Sequence, residues 1–340
     1  MQASKKKILV GGGAGYIGTM LVPKLLELGH EVTVIDTCWF GNYLDSHVNL
    51  VKKDLFECME SDFSGFDQVI FLAGLSNDPM AEHSPSKNFM LNAALPCYMA
   101  YLAKRAGVKR FICASSCSVY GFTHNQAYDE LAAANCEYPY GISKLEGETG
   151  VMQMQGENFS VISLRQGTVS GYSPRMRMDL VVNAMFKSAL LDNKIIINNP
   201  DIWRPIYDLR DVVKGFVSAV EAPEQISGIF NVASKNYQVK EIAEAVKKVL
   251  ESCGEPEILL ETKFFQDSRN YKISTAKAEE VLGFKPQFLV EDTVKDLYDH
   301  KDKMGDLEQD AYYNIRIFKN LVKKEELKKA TLEKMEEFKY

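Results

Sequence analysis

Short apolar runs alternate with helix-spaced stretches through the first half of the chain. Lys7–Val10, Glu31–Ile35, Val48–Lys52, Asp67–Leu72, Arg110–Ala114 and Ser160–Leu164 are rich in Val, Ile, Leu and Phe, and each predicts a buried strand. Between them, Met20–Leu28 has helical periodicity and stops at Gly29. Ser86–Ala106 predicts one long helix ending at Gly107, and Tyr140–Met154 predicts another. Strands separated by helices imply βαβ units. Right-handed crossovers then give an α/β fold with a doubly wound parallel sheet. Ligands of such a sheet belong in the crevice at the carboxyl ends of its strands.

The pattern changes near residue 170. Turn-rich text such as "IIINNPDIWRPI" mixes with helices such as Val239–Ser252. The expected division is a doubly wound domain over 1–170, to which parts of 205–235 return. A smaller lobe is expected from 171–204 and 236–306, followed by a tail over 307–340. The tail is rich in Lys and Glu with spaced Ile, Phe and Leu, which predicts a docked or solvated helix rather than a partner-binding segment.

Composition narrows the function classes. The chain has 340 residues and a net charge of −6, so a general nucleic-acid binder is not expected. No apolar run approaches the roughly 20 residues that span a bilayer, and Lys5-Lys6-Lys7 does not open a secretory signal. The seven cysteines lack metal-type spacing and read as reduced thiols of a cytoplasmic protein. The five histidines form no helical pair, so no metal site is expected.

Chemistry enters at "VGGGAGYIGT", directly after the first strand. Gly12, Gly15 and Gly18 stand at three-residue spacing where a strand should give way to a helix. Glycines here allow a tight turn, close approach of backbone amides to a pyrophosphate, and tight packing of helix on strand. Alone the motif is weak. Asp36, however, closes the next strand, where a carboxylate can accept hydrogen bonds from a ribose diol and repel a 2′-phosphate. Thr37, Cys38 and Trp39 offer no cation beyond it. The pair predicts a Rossmann-type domain that binds NAD in preference to NADP.

Two further stretches complete a constellation. "ASSCSVYG" follows the fifth strand and carries Ser116; "YPYGISKLEGE" carries Tyr140 and Lys144 four residues apart, on one helix face. An ammonium beside a phenol favours the phenolate. That phenolate can take a proton from a substrate hydroxyl while hydride leaves the same carbon. Ser116 can hold the same oxygen.

With these elements in order, the chain resembles the extended short-chain dehydrogenase/reductases of the NAD-dependent nucleotide-sugar epimerase/dehydratase family. The resemblance runs through residues 6–300 and is densest before 215. It rests on "GGAGYIG" (Gly12–Gly18), Asp36, Asp54-Leu55, "FLAG" (Phe71–Gly74, usually H-L-A-A), Asn92, "SSCSVYG" and "PYGISK". It implies NAD along the first domain, with Gly12, Gly15, Tyr16, Ile17 and Gly18 in the turn and Asp36 at the ribose. Asp54 and Leu55 would meet adenine; Leu72, Ala73, Gly74 and Asn92 would meet the cofactor backbone, and Ser115 would lie near the nicotinamide. Ser116, Tyr140 and Lys144 would be catalytic, with Tyr140 and Lys144 also touching cofactor and Ser116 touching substrate. The substrate would be a nucleotide sugar and the assembly a homodimer paired through the two long helices.

The resemblance also bears on the reaction. Dehydratases of the family carry an Asp-Glu pair where this chain has Cys117-Ser118, and glucuronate decarboxylases carry a Glu at the position of Ser118. Cys117 lies one position from the place of a catalytic cysteine in other members and reads as a small buried residue. A small hydroxyl at 118 resembles the 4-epimerases. The leading expectation is therefore a nucleotide-sugar 4-epimerase working through a transient 4-keto intermediate. A 4-dehydrogenase or 4-keto-sugar reductase is the alternative, and a non-catalytic NAD-binding protein is disfavoured because both Tyr140 and Lys144 are kept. "PRMRMDLVVN" and "WRPIYDLRDV" resemble segments that hold the nucleotide diphosphate, with Asn183, Arg204 and Arg269 as substrate residues. Asp208 stands where many relatives have His, and Asp211 matches the family's Asp.

Overall fold

A computed structural model describes residues 5–264 and 269–337. Its centre is a seven-stranded sheet in the spatial order Gly228–Val232, Ser160–Gln166, Arg110–Ser116, Gln68–Phe71, Lys7–Gly11, Glu31–Asp36, Asn49–Lys52. Every pairing in it is parallel. The six expected strands are present, and Gly228–Val232 adds an edge beyond them.

The strands read as continuous apolar runs because both faces of the sheet are covered. Alternate residues feed different cores. Val10, Val34, Ile70 and Ile112 enter one cluster, while Leu9, Ile35, Val69 and Phe111 enter the other. Lys7–Gly11 is the switch point: the chain first winds outward to Asn49–Lys52, then returns to its other side at Gln68–Phe71. The crevice expected at a switch point opens at the carboxyl ends of these strands.

The helix expected over Ser86–Ala106 is not uniform. It runs as Pro85–Phe89, a π-turn over Met90–Ala94, and Leu95–Arg105. Pro96 lacks the N–H that would continue the ladder, so a widened turn at this point satisfies the backbone differently. Against that turn lies the helix Pro139–Met152. Gly147 permits the contact, since a Cβ there would lie 2.1 Å from the Asn92 carbonyl oxygen. Glu148 fastens the same helix to the sheet, accepting from Arg165 Nε at 3.0 Å and Nη2 at 2.7 Å, with both side chains buried. The two helices are not apolar-buried all round: Phe89, Met90, Tyr101 and Ile142 are exposed.

Beyond residue 166 the chain builds smaller sheets. Trp203–Asp208 lies between Thr168–Ser170 and Lys235–Gln238, and Lys194–Asn198 pairs with Leu259–Lys263. Asp208 is a buried cap of the helix Leu209–Glu221, accepting from the Arg210 amide at 2.8 Å and from Thr293 Oγ1 at 2.7 Å. Asp211 is also buried and accepts from the amides of Gln287 and Phe288, both at 2.9 Å. Both aspartates therefore bind the later chain to the sheet rather than face a ligand. The tail forms the helix Asn314–Glu337. Its Phe318 is buried with Leu75 and Met80. Among the described residues no helix is long and apolar enough to cross a membrane, and no cluster has metal-ligand composition.

Candidate active site

The glycine turn forms the floor of the cleft. Gly12 has φ +81° and its missing Cβ would sit 2.5 Å from the Ala73 amide nitrogen. The missing Cβ of Gly18 would lie 2.2 Å from the Gly13 carbonyl oxygen. The chain can follow this path only without side chains, and the resulting cradle opens a helix at Gly18, whose N-terminal end favours an anion. Asp36 staples the turn: Oδ2 accepts the Ala14 amide at 3.0 Å and Oδ1 the Cys38 amide at 2.7 Å. Burial pushes its pKa up, and those two amides pull it down. Each oxygen keeps a lone pair for a diol.

Gly12, Gly15, Tyr16, Ile17, Gly18, Asp36, Asp54, Leu55, Leu72, Ala73, Gly74 and Ser115 all line this cleft, as do Ser116, Tyr140, Lys144, Arg204 and Arg269. Asn92 and Asn183 do not line it. Asn92 lies behind Gly74, its Nδ2 donating to the Leu75 carbonyl at 3.0 Å. Asn183 is fully buried, accepting from the Gly171 amide at 3.0 Å and donating to the Arg177 carbonyl at 2.8 Å. It lies behind the cleft wall, bonded also to the Tyr16 hydroxyl at 3.2 Å. Cys117 is also buried, its thiol donating to the Arg165 carbonyl at 3.0 Å, which agrees with the reading of a small core residue.

Elsewhere in the cleft, Ser116 Oγ accepts the Ser118 amide at 3.2 Å and lies 2.9 Å from Ser118 Oγ. Tyr140 enters from the first turn of Pro139–Met152 and faces Ser116. Its pKa differs from the expectation. Burial raises it to about 12, opposed by the hydrogen bond with Ser116, and the foremost cation acting on the phenol is Arg177 rather than Lys144. The reason is geometric: Lys144 Nζ is turned to the Ala114 carbonyl at 2.6 Å. Burial lowers the Lys144 pKa to about 8.

On the opposite wall the segments at 174–183 and 203–212 and Arg269 were expected, but the side-chain pairs that build it were not. Arg177 is paired bidentately with Asp179 at 2.9 and 3.0 Å, and Asn77 Nδ2 donates to the same carboxylate at 2.9 Å. Arg269 Nη1 donates to Asp78 at 2.7 Å. Arg204 donates to the Arg269 carbonyl and stacks over the Tyr271 ring at 5.3 Å. Arg175, Asp78, Arg177, Asp179, Tyr271 and Asn314 all face the cleft without having been singled out. The available signal was "RMRM", two arginines set between methionines that are themselves buried.

The residues present suit a bound dinucleotide: a cradle that a Cβ would fill, a helix N-terminus, and a carboxylate at the end of the second strand.

Comparison with known proteins agrees. UDP-glucuronic acid decarboxylase 1 of Xenopus tropicalis is 27% identical over 304 residues, covering 84% of this chain and 69% of that protein. UDP-glucuronic acid decarboxylase 6 of Arabidopsis thaliana is 27% identical over 301 residues, covering 84% of this chain and 85% of its own. Among solved structures, the UDP-glucose 4-epimerase of Thermotoga maritima with UDP-glucose superposes with a TM-score of 0.78 at 24% identity, covering 88% of this chain and all of that one, 100%. The UDP-glucuronic acid 4-epimerase of Bacillus cereus with UDP-glucuronic acid and NAD gives 0.76 at 24% identity, covering 88% and 99%. Residues 8–233 match the family described as "NAD dependent epimerase/dehydratase family", and the chain belongs to that family of NAD-dependent enzymes.

Proposed function

We propose that the protein is a nucleotide-sugar 4-epimerase acting through a transient 4-keto sugar. The observation that carries this reading is the neutral pair Ser116–Ser118 facing Tyr140. The sequence relatives compared above are decarboxylases, but the hydroxyl of Ser118 stands where the family resemblance would place a carboxylate for that reaction. The neighbouring carboxylate, Asp78, is engaged by Arg269.

In this reading the cradle, Asp36 and Lys144 hold NAD, which supplies a reversible hydride acceptor and, when oxidised, a positive charge that favours the phenolate. Tyr140 takes the proton from the C4 hydroxyl. Ser116 holds the same oxygen and fixes its distance from the phenol. Arg204 and Arg269 face the diphosphate, a role suited to a guanidinium fork. Tyr140 then returns its proton to the ketone oxygen once the sugar has turned its other face. The same residues serve both directions, so no second acid or base is needed.

The test is incubation with UDP-glucose, UDP-N-acetylglucosamine and UDP-glucuronic acid, followed by proton NMR of the product and absorbance of reduced nicotinamide. Inversion at C4 without net NADH supports the proposal. Accumulating NADH identifies a 4-dehydrogenase, and a pentose product identifies a decarboxylase; either overturns it.

The reading extends to assembly and compartment. The exposed Phe89, Met90, Tyr101 and Ile142 lie on the two long helices and suit a homodimer paired through them. A monomer by light scattering at micromolar concentration would overturn that pairing. All seven cysteines are free, which suits the reducing cytoplasm.

A further inference from the structure

Of the cleft arginines, Arg177 and Arg269 each have a carboxylate partner. Arg175 does not. It is 2% exposed, yet no carboxylate of the described residues lies within ion-pair distance of it. Its direct partners are neutral, and the carboxylates of Asp179 and Asp36 act on it only from beyond ion-pair distance. Nη2 donates to Asn314 Oδ1 at 2.5 Å, the guanidinium stacks at 3.8 Å over the Phe40 ring, and buried Nε has no partner at all. Burial and the neighbouring Arg177 lower its pKa to about 9. A buried cation with no carboxylate in contact is costly. It is tolerated where an anion arrives to meet it.

The place of that anion follows from what surrounds Arg175. Phe40 follows Asp36 in the chain, and Arg175 acts on the Asp36 carboxylate. The guanidinium therefore faces the half of the cleft that runs from the glycine cradle to Asp36. Asn314, which holds it, opens the tail helix and is itself tied to the loop after the fourth strand by a bond from Nδ2 to Ser76 Oγ at 2.7 Å. Phe318, one turn on, packs at 6.2 Å from the Trp39 ring. The tail thus joins both loops that border the dinucleotide.

We propose that Arg175 binds a phosphate of the dinucleotide, and that Asn314 of the tail helix is the positioning residue that aims it. The dinucleotide offers two sources, the pyrophosphate and a 2′-phosphate. Asp36 disfavours the second, so the pyrophosphate is the assigned partner. The tail is then a functional part of the cofactor site.

The test is calorimetric titration of the cofactor-stripped full chain with NAD, ADP, 2′,5′-ADP and adenosine. It needs no sugar substrate, so a failed epimerase assay leaves it intact. Arg175→Met is expected to weaken NAD and ADP by about 10- to 100-fold, the range of a lost charge-assisted hydrogen bond, and to leave adenosine unchanged. Asn314→Ala should weaken NAD and ADP by less, and Arg175→Lys should recover part of the ADP affinity because it restores the charge. Should Arg175→Met not fold, Arg175→Lys and Asn314→Ala carry the same comparison, ADP against adenosine. Equal losses for ADP and adenosine would assign Arg175 a structural role only. Unchanged NAD affinity, or a loss confined to 2′,5′-ADP, would also overturn the assignment.

Discussion

The two walls of the cleft are made from different materials. The cofactor wall is main chain: a glycine turn, strand ends and a helix N-terminus, with Asp36 holding the turn through two amides. The opposite wall is side chain. It is assembled from residues 77–78, 175–179, 204 and 269–271; Arg177 and Arg269 are balanced by Asp179 and Asp78, while Arg175 has no carboxylate in contact. A backbone wall is fixed by the fold, whereas a wall of ion pairs can exchange partners. Under the proposed function, an incoming diphosphate would take Arg269 from Asp78 without moving the sheet.

The residues proposed as catalytic, Ser116, Tyr140 and Lys144, stand in the same cleft, so changing one of them should separate chemistry from binding most sharply. Tyr140→Phe removes one oxygen and little volume. Turnover should fall by about 10²–10⁴-fold, the usual worth of general acid–base catalysis, while the NAD dissociation constant measured by calorimetry stays close to wild type. Near-normal turnover at saturating substrate would mean that another group moves the proton.

Gly12→Ala attacks the backbone wall. At φ +81° the added methyl would lie 2.5 Å from the Ala73 amide nitrogen, and backbone cannot step aside as a flexible side chain can. Strain of about 1–3 kcal/mol is expected, with a parallel loss of NAD affinity that calorimetry and thermal melting should both record. Asp78→Asn attacks the other wall and should leave NAD affinity unchanged. If both variants lose NAD equally, the two walls do not differ in the way described.

The same contrast explains how much of the protein was legible in its sequence. The six strands, the glycine cradle, Asp36 and the set of Ser116, Tyr140 and Lys144 were readable because each depends on neighbours a few residues away. A turn needs its glycines in sequence, and a helix face needs its residues four apart. The seventh strand, Gly228–Val232, was not foreseen as such because its pairing partner, Ser160–Gln166, is distant in the chain. Asn183, expected to line the sugar nucleotide, lies behind the cleft wall on Gly171 and Arg177, a placement that only the fold reveals. Asp208 and Asp211 are consumed as fasteners. Arg175 and Asn314 are 139 residues apart, and only folding reveals that they meet. The direction of Lys144, toward the Ala114 carbonyl and not the phenol, also depends on tertiary structure.

Asp36 sits on the legible wall and tests cofactor choice. Its carboxylate should favour NAD, whose ribose diol it can accept, over NADP, whose phosphate it repels. Asp36→Ala removes the repulsion together with the staple to Ala14 and Cys38. The expected outcome in parallel titrations is weaker NAD binding and a preference reduced by about 10-fold, of the order of one charge-assisted hydrogen bond. Equal affinity for the two cofactors in the wild type would remove Asp36 from this role.

The smallest effect expected concerns Lys144 and pH. Burial lowers its pKa from 10.5 to about 8 in the folded protein. The folded state therefore releases this proton first, and between about pH 8 and 10.5 the unfolded chain binds more of it. Stability rises with pH wherever the unfolded state holds more protons, so this group opposes folding below pH 8 and opposes it less above. The slope for one proton is about 1.4 kcal/mol per pH unit at most. Arg175 and the buried thiols also titrate in alkali, so the useful quantity is a difference. The melting temperature of the cofactor-free wild type minus that of Lys144→Met should climb by a few degrees from pH 8 to pH 9.5, since ~1 kcal/mol moves a large domain by that amount. A flat difference across that interval would show that the ammonium is already compensated in the folded chain. The Ala114 carbonyl would then be holding a full charge rather than a proton ready to leave.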